Sequence, residues 1–224
     1  MIDVYIELLV ILFLVSGIWL DVYSLYVRLS YVTQKRSEGL ALANWVLYMA
    51  RMLNLASAFT LALIFESNTG VNFSGLVLAS FLIGSLFLLV FYKFRFVESL
   101  LLRLMGFVMF MPARGLAGNH FWRPLGWPKL SHVVSSMLIS LFLNFAIFLP
   151  FAITTIKPEF RMSSVYLGQF MNFISTLLLM LYADPVMMRG RDEATGVDAM
   201  DGFIWGRFVA NVLIVALIAI WMAV

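Results

Sequence analysis

Six separate stretches of this chain are apolar over the length of a bilayer-spanning helix, at about 5–29, 40–65, 72–93, 132–156, 163–183 and 203–224. A hydrocarbon core of about 30 Å needs roughly 20 apolar residues as a helix. Six such runs in 224 residues leave too little sequence for a soluble domain of any size. The composition agrees, at 63% hydrophobic and 12% charged, where soluble domains are roughly half apolar and a quarter charged. One core cannot hide that surplus, so lipid must be the solvent for much of it. The expected fold is an all-α polytopic integral membrane protein, with about six transmembrane helices in one bundle and a single domain over 1–224. A seventh apolar run, 96–111, is short and carries Glu98 and Arg103, which suits an interfacial helix at the headgroups better than a span. The first run follows Asp3 and Glu7 rather than a basic segment, and it reads as a retained span, not a secretory signal.

Basic residues set the expected orientation. Arg28, Lys35 and Arg36 follow the first span; Lys93, Arg95, Arg103, Arg114, Arg123 and Lys129 lie between the third and fourth; Arg189 and Arg191 follow the fifth. The opposite side holds Lys157 and Arg161. The positive-inside rule places the loaded side in the cytoplasm and both termini outside. Trp19, Trp45, Trp122, Trp127, Trp205 and Trp221 fall at or near span ends or in the long loop, as an aromatic belt would place them. No basic block is long enough to suggest nucleic-acid binding.

Charged side chains inside spans demand an explanation, because each costs about 2.5–3.5 kcal/mol near the bilayer centre. Arg51 stands about eleven residues into the second span, or some 16 Å deep at about 1.5 Å per residue. Asn54 lies one turn on, along nearly the same face. Asp21 and Arg28 share a face of the first span, Asp184 closes the fifth before Pro185, and Arg207 and Asn211 open the sixth. Asn144, Gln169 and Asn172 add hydrogen-bonding groups. In a structural account Asp21 pairs with Arg51 or Arg28, Asp184 pairs with Arg207, and the amides join helices. In a functional account these groups line an internal polar cleft whose arginines anchor an anion, since guanidinium donates bidentately to phosphate and stays charged. Asp21 and Asp184, if buried, could carry protons. Arg51-x-x-Asn54 and Gln169-x-x-Asn172 occupy the middle span of each three-span half, a faint echo of the inverted repeats of transporters.

Enzyme signatures are missing. The chain has no cysteine, and it holds no HExxH, GxSxG or Walker A pattern. His120 and His132 sit in or at the edge of the long loop, too scattered for a metal site and better suited to solvent or headgroups. Asp198-x-x-Asp201-Gly202 followed by Arg207 is similar to the start of a CDP-alcohol phosphotransferase signature, but no later acidic residue completes a metal pair. Those residues read as a solvated turn before the sixth span. No cofactor and no metal are expected, and without an ATP site any transport is passive, gradient-driven or pulled by consumption of the product.

Three stretches together resemble the Amj family of bacterial membrane proteins, alternate lipid II flippases. They are Asp21-Val-Tyr-Ser-Leu-Tyr-Val-Arg28 continuing to Arg51-Met-Leu-Asn54; Pro158-Glu-Phe-Arg161-Met-Ser-Ser164 leading to Gln169, Asn172 and Ser175; and Asp184-Pro185 followed by Gly206-Arg207. The segment 66–157 matches in hydropathy alone. The resemblance implies a lipid-linked cell-wall precursor as substrate, undecaprenyl-pyrophosphate carrying a disaccharide-pentapeptide, moved from the inner to the outer leaflet of the bacterial cytoplasmic membrane. On that reading Arg28 and Arg207 at cytoplasmic depth, Arg51 midway and Arg161 at the outer edge form a ladder for the pyrophosphate, so that its charge is never left uncompensated in low dielectric. Asn54 lies beside it on the headgroup path, with Asp21, Asp184, Gln169 and Asn172 as polar partners. A slim bundle and a bulky headgroup suggest a homodimer among membrane lipids. The rival readings are a membrane-embedded enzyme of lipid or cell-wall metabolism, and a scaffold whose arginines only pair internally.

Overall fold

The computed structural model describes residues 2–30, 36–67, 73–93, 128–186 and 196–223. With no water in a hydrocarbon core, every backbone polar group must find its partner within the segment, and a helix is what allows that. The elements are α1 (Ile2–Ser30), α2 (Arg36–Ser67), α3 (Phe73–Lys93), α4 (Leu130–Ile156), a 3₁₀ turn (Pro158–Phe160), α5 (Arg161–Leu178) continued by a π-helical turn (Leu179–Ala183), and α6 (Gly196–Ala223). No strand occurs among the described residues. Among the described residues, five helices are long and apolar enough to cross a membrane, over Tyr5–Leu25, Ala43–Ile64, Leu130–Ile156, Met162–Val186 and Ala199–Ala223; the apolar part of α3, Ser74–Val90, is shorter. The interfacial helix expected at 96–111, most of the 94–131 loop and His120 lie outside the described residues.

The helices pack in the order α2–α1–α3–α6–α4–α5, each against the next. The two ends of that series, α2 and α5, form no packed seam, and α2 touches α4 only sparingly. Lipid-facing positions are large and apolar, as in the α2 stripe Tyr48, Met52, Leu55 and Phe59. Buried positions are marked instead by small and polar residues, which let helices approach and hydrogen-bond across the contact. At Gly206 of α6 an added Cβ would meet the Val133 carbonyl, Ser136 Cβ at 2.6 Å and Met137 N at 2.7 Å, all on α4. At Gly168 of α5 it would lie 2.7 Å from Pro150 Cγ and 2.8 Å from the Ala146 carbonyl, also on α4. These two glycines set the spacing of α4 from both its neighbours.

Two apolar clusters fill the interior, one around Tyr23, Leu25, Leu47, Met200 and Phe203 and another around Leu14, Leu61, Phe81, Ile147 and Ile214. Along α2, α4 and α6 the polar residues Arg51–Asn54, Asn144 and Arg207–Asn211 fall between the two. The π turn in α5 has a local cause. Pro185 offers no N–H to Leu181 and crowds its carbonyl, and the turn before it widens so that the Asp184 N–H reaches Leu179 O, five residues back.

Three expectations need correcting. The Asp198–Gly202 segment is no solvated turn: α6 begins at Gly196 and carries these residues as helix. His132 is half-buried in the first turns of α4, stacked on Phe203 at 6.1 Å and tilted against Tyr182 at 6.5 Å. Trp19 is not part of a surface belt, since it meets Phe87 edge-on at 5.7 Å and buries its indole nitrogen.

Candidate functional site

The polar residues converge on one level of the bundle. Arg207 Nε donates to Asp21 Oδ2 at 2.6 Å, and both side chains are almost fully buried. Arg207 Nη1 donates to Ser136 Oγ at 3.0 Å, and that hydroxyl donates to the Phe203 carbonyl at 2.6 Å. The carboxylate on the Arg207 Nε is thus Asp21, where the sequence suggested Asp184 for Arg207, and Arg51 or Arg28 for Asp21. Helix order explains the difference. α6 packs beside α3 and α4 and touches α1, which brings Arg207 to Asp21 across the bundle interior.

Arg51 sits at the middle of α2 and reaches the other way, across the gap to α5. Its Nη1 donates to Asn172 Oδ1 at 2.9 Å and its Nη2 to Ser175 Oγ at 3.4 Å. Ser175 in turn donates to the Ile139 carbonyl of α4 at 2.8 Å. Asp21 attracts Arg51 through space and Arg207 repels it. Two guanidiniums therefore share the influence of one buried carboxylate, and that carboxylate is in direct contact with Arg207. The Nε of Arg51, the Nη2 of Arg207 and the Oδ1 of Asn54 are buried with no hydrogen-bond partner among the described residues. Buried polar groups are seldom left that way. A cation beside a carboxylate already engaged is an arrangement that attracts an anion.

Arg51 also lines one end of a cavity of about 480 Å³. α2 supplies Arg51, Asn54, Leu55, Ala58, Phe59 and Ala62; α4 supplies Leu143, Ala146, Ile147, Pro150, Phe151 and Thr154; Met162, Ser164, Val165, Gly168, Gln169 and Asn172 come from α5 and its first turn. From Arg51 to Ala62 the groove is some 16 Å long at about 1.5 Å per residue, one leaflet's depth. It runs from mid-helix toward the end where Lys157 and the 3₁₀ turn join α4 to α5. Leu55, Phe59 and Met162 are 61%, 65% and 68% exposed, so the groove opens sideways, where lipid would lie. Its polar groups gather at the Arg51 end, and Thr154 and Ser164 toward the other end bond each other at 3.1 Å. Pro150, inside α4, has no N–H to give the Ala146 carbonyl, and both residues face the groove.

The Arg51-x-x-Asn54 and Gln169-x-x-Asn172 pairs, widely separated in sequence, therefore face each other across one cleft. Arg207 and Asp21 belong to the buried network behind it and do not line it. Arg28 stands near the C-terminal end of α1 and Arg161 is the first residue of α5; their side chains lie outside the described residues. Asp184 is half-buried after the π turn. Ser136, which holds Arg207, gave no sequence signal beyond its place in an apolar run, and Ser175, which holds Arg51, stood out only as part of a stretch carrying the family resemblance. Pro150 did give one, as a proline within a span. No group of three or more His, Cys, Asp or Glu suited to a metal occurs among the described residues. No family model, curated protein or solved structure matches the chain.

Proposed function

We propose that this protein is a lipid flippase that moves an undecaprenyl-pyrophosphate-linked peptidoglycan precursor from the inner to the outer leaflet of the bacterial cytoplasmic membrane. The observation that carries the reading is Arg51, a guanidinium at one end of a groove whose long side is lined by exposed apolar residues. An anionic lipid can leave its chain in the bilayer while its phosphate enters such a groove, and the cation replaces the lost hydration. In this reading α3 is the sixth span, both termini face outward, and the groove serves the outer leaflet. A disaccharide-pentapeptide exceeds one groove of this size, and a second copy of the chain is the proposed means of widening its path.

Arg51→Leu tests the proposal. The substitution removes a charge from the membrane interior and leaves α2 able to insert. Expressed as the cell's sole lipid II flippase, a stable Arg51→Leu protein should fail to support growth, and Arg51→Lys should retain part of the activity, keeping the charge but losing the fork. Full growth from well-expressed Arg51→Leu would remove this residue from the mechanism. The scaffold reading draws on one observation, the Arg51–Asn172 bond that ties α2 to α5. It forecasts the opposite pattern, with less folded protein and no specific loss of transport.

A further inference from the structure

The size and lining of the groove bear on which part of the lipid is recognised. A volume of about 480 Å³ lies within the roughly 300–1,000 Å³ that enclose one drug-sized ligand. A disaccharide carrying five aminoacyl residues is several times larger than such a ligand. A glycan also needs hydrogen-bonding groups along its whole length, since each buried hydroxyl left unpaired costs binding. Past Arg51, Asn54, Gln169 and Asn172 the walls are apolar, and the Thr154 and Ser164 hydroxyls are engaged with each other. Ala58 and Ala62, one turn apart on α2, line the groove together with Ala146 of α4. Small residues there leave width for a branched hydrocarbon between helices that do not pack together.

We infer that the groove binds polyprenyl phosphates through the phosphate and the adjoining isoprenoid units, with no requirement for the glycan. The phosphate lies against Arg51, drawn by the guanidinium charge at the end of the groove. The stem lies along the alanine-lined walls and leaves past Leu55 and Phe59 into the bilayer. The bare polyprenyl monophosphate is then a ligand in its own right, alongside the glycosylated pyrophosphate. This inference rests on the reading of the chain as a carrier of lipid-linked anions, and it names the substrate class of that same site.

The test uses the full chain in nanodiscs of zwitterionic lipid, with binding read by native mass spectrometry. Four probes are titrated: polyprenyl monophosphate, polyprenol of the same length, the pyrophosphate-linked disaccharide-pentapeptide lipid, and phosphatidylglycerol. The monophosphate should bind within about tenfold of the glycosylated lipid. Polyprenol should bind about 10–100-fold more weakly, the loss expected when a charge-assisted hydrogen bond is removed. Arg51→Leu should abolish that preference, and Ala58→Phe, which fills the groove without touching Arg51, should weaken every polyprenyl probe. A glycosylated lipid more than about 100-fold tighter than the monophosphate overturns the inference and leaves the flippase reading standing. Equal binding of phosphatidylglycerol and the monophosphate overturns it as well, because the site would then take any lipid anion. Binding as forecast, with no movement of either polyprenyl lipid across proteoliposomes, upholds the inference and sinks the transport reading.

Discussion

Asp21 and Arg207 meet at 2.6 Å with side chains only 6% and 4% exposed, so neither can turn to solvent if the other is removed. Breaking such a pair from one side leaves a buried charge uncompensated, at about 3–5 kcal/mol. The two sides are not equivalent here, because Arg51 also lies within the electrostatic reach of Asp21. Asp21→Asn leaves two guanidiniums with no carboxylate between them and should cost the full amount. Arg207→Met leaves Asp21 with Arg51 as a spare counter-charge and should cost less, while drawing Arg51 from Asn172. The double variant should recover most of the stability. Unfolding midpoints in a mild detergent check the order; equal losses from the two single changes would show that Arg51 does not sense Asp21. Sequence made the cost of each of these charges legible but not the pairing. Depth follows from counting residues along a span, whereas a partner depends on which helices are neighbours, and apolar sequence facing both lipid and core does not encode that.

At the scale of elements, close approach matters only where the neighbour cannot give way. Gly206 and Gly84 would each bring a new Cβ to 2.6 Å of a side-chain atom, Ser136 Cβ for the first and Ile18 Cδ1 for the second. Ile18 can swing its terminal methyl aside. Gly206 also faces the backbone of Val133 and Met137, which can move only if α4 does. Gly206→Ala should therefore cost about 1–3 kcal/mol or more, as overpacking does, and disturb the adjacent Arg207. Gly84→Ala should change stability by no more than about 1 kcal/mol, with the same unfolding measurement separating them. Hydropathy marked these helices well, the run at 72–93 against Phe73–Lys93 and that at 132–156 against Leu130–Ile156. It failed at the start of α6, which precedes 203 because a polar helical turn, Asp198 to Gly202, looks like a loop to any measure of apolarity. The groove was half legible. Arg51, Asn54, Gln169 and Asn172 stood out as polar residues in spans, but the alanines and Gly168 that shape the walls resemble any other apolar sequence.

For the whole molecule, the proposed orientation follows from the basic residues gathered on one side of the membrane, and the absence of cysteine makes it simple to test. A cysteine replacing Glu159, exposed in the turn between α4 and α5, should react with an impermeant thiol reagent in intact cells. One replacing Ser131, exposed at the opposite end of α4, should react only after permeabilisation. The reverse pattern would invert the topology and hand the groove to the cytoplasmic leaflet.

The contact between Asp21 and Arg207 joins positions 186 residues apart, α1 to α6, and that has a consequence for biogenesis. At about 5–20 residues per second, translation separates the two by roughly 10–40 s. Throughout that interval Asp21 of the nascent α1 has Arg51 of α2 as a counter-charge acting through space, with the guanidinium that will touch it not yet made. α1 and α2 can pair early, and α6 then supplies the direct contact to Asp21. A chain released before α6 would lack that direct contact and would leave Asp21 with Arg51 alone, so the last helix completes a polar centre that the first two only begin.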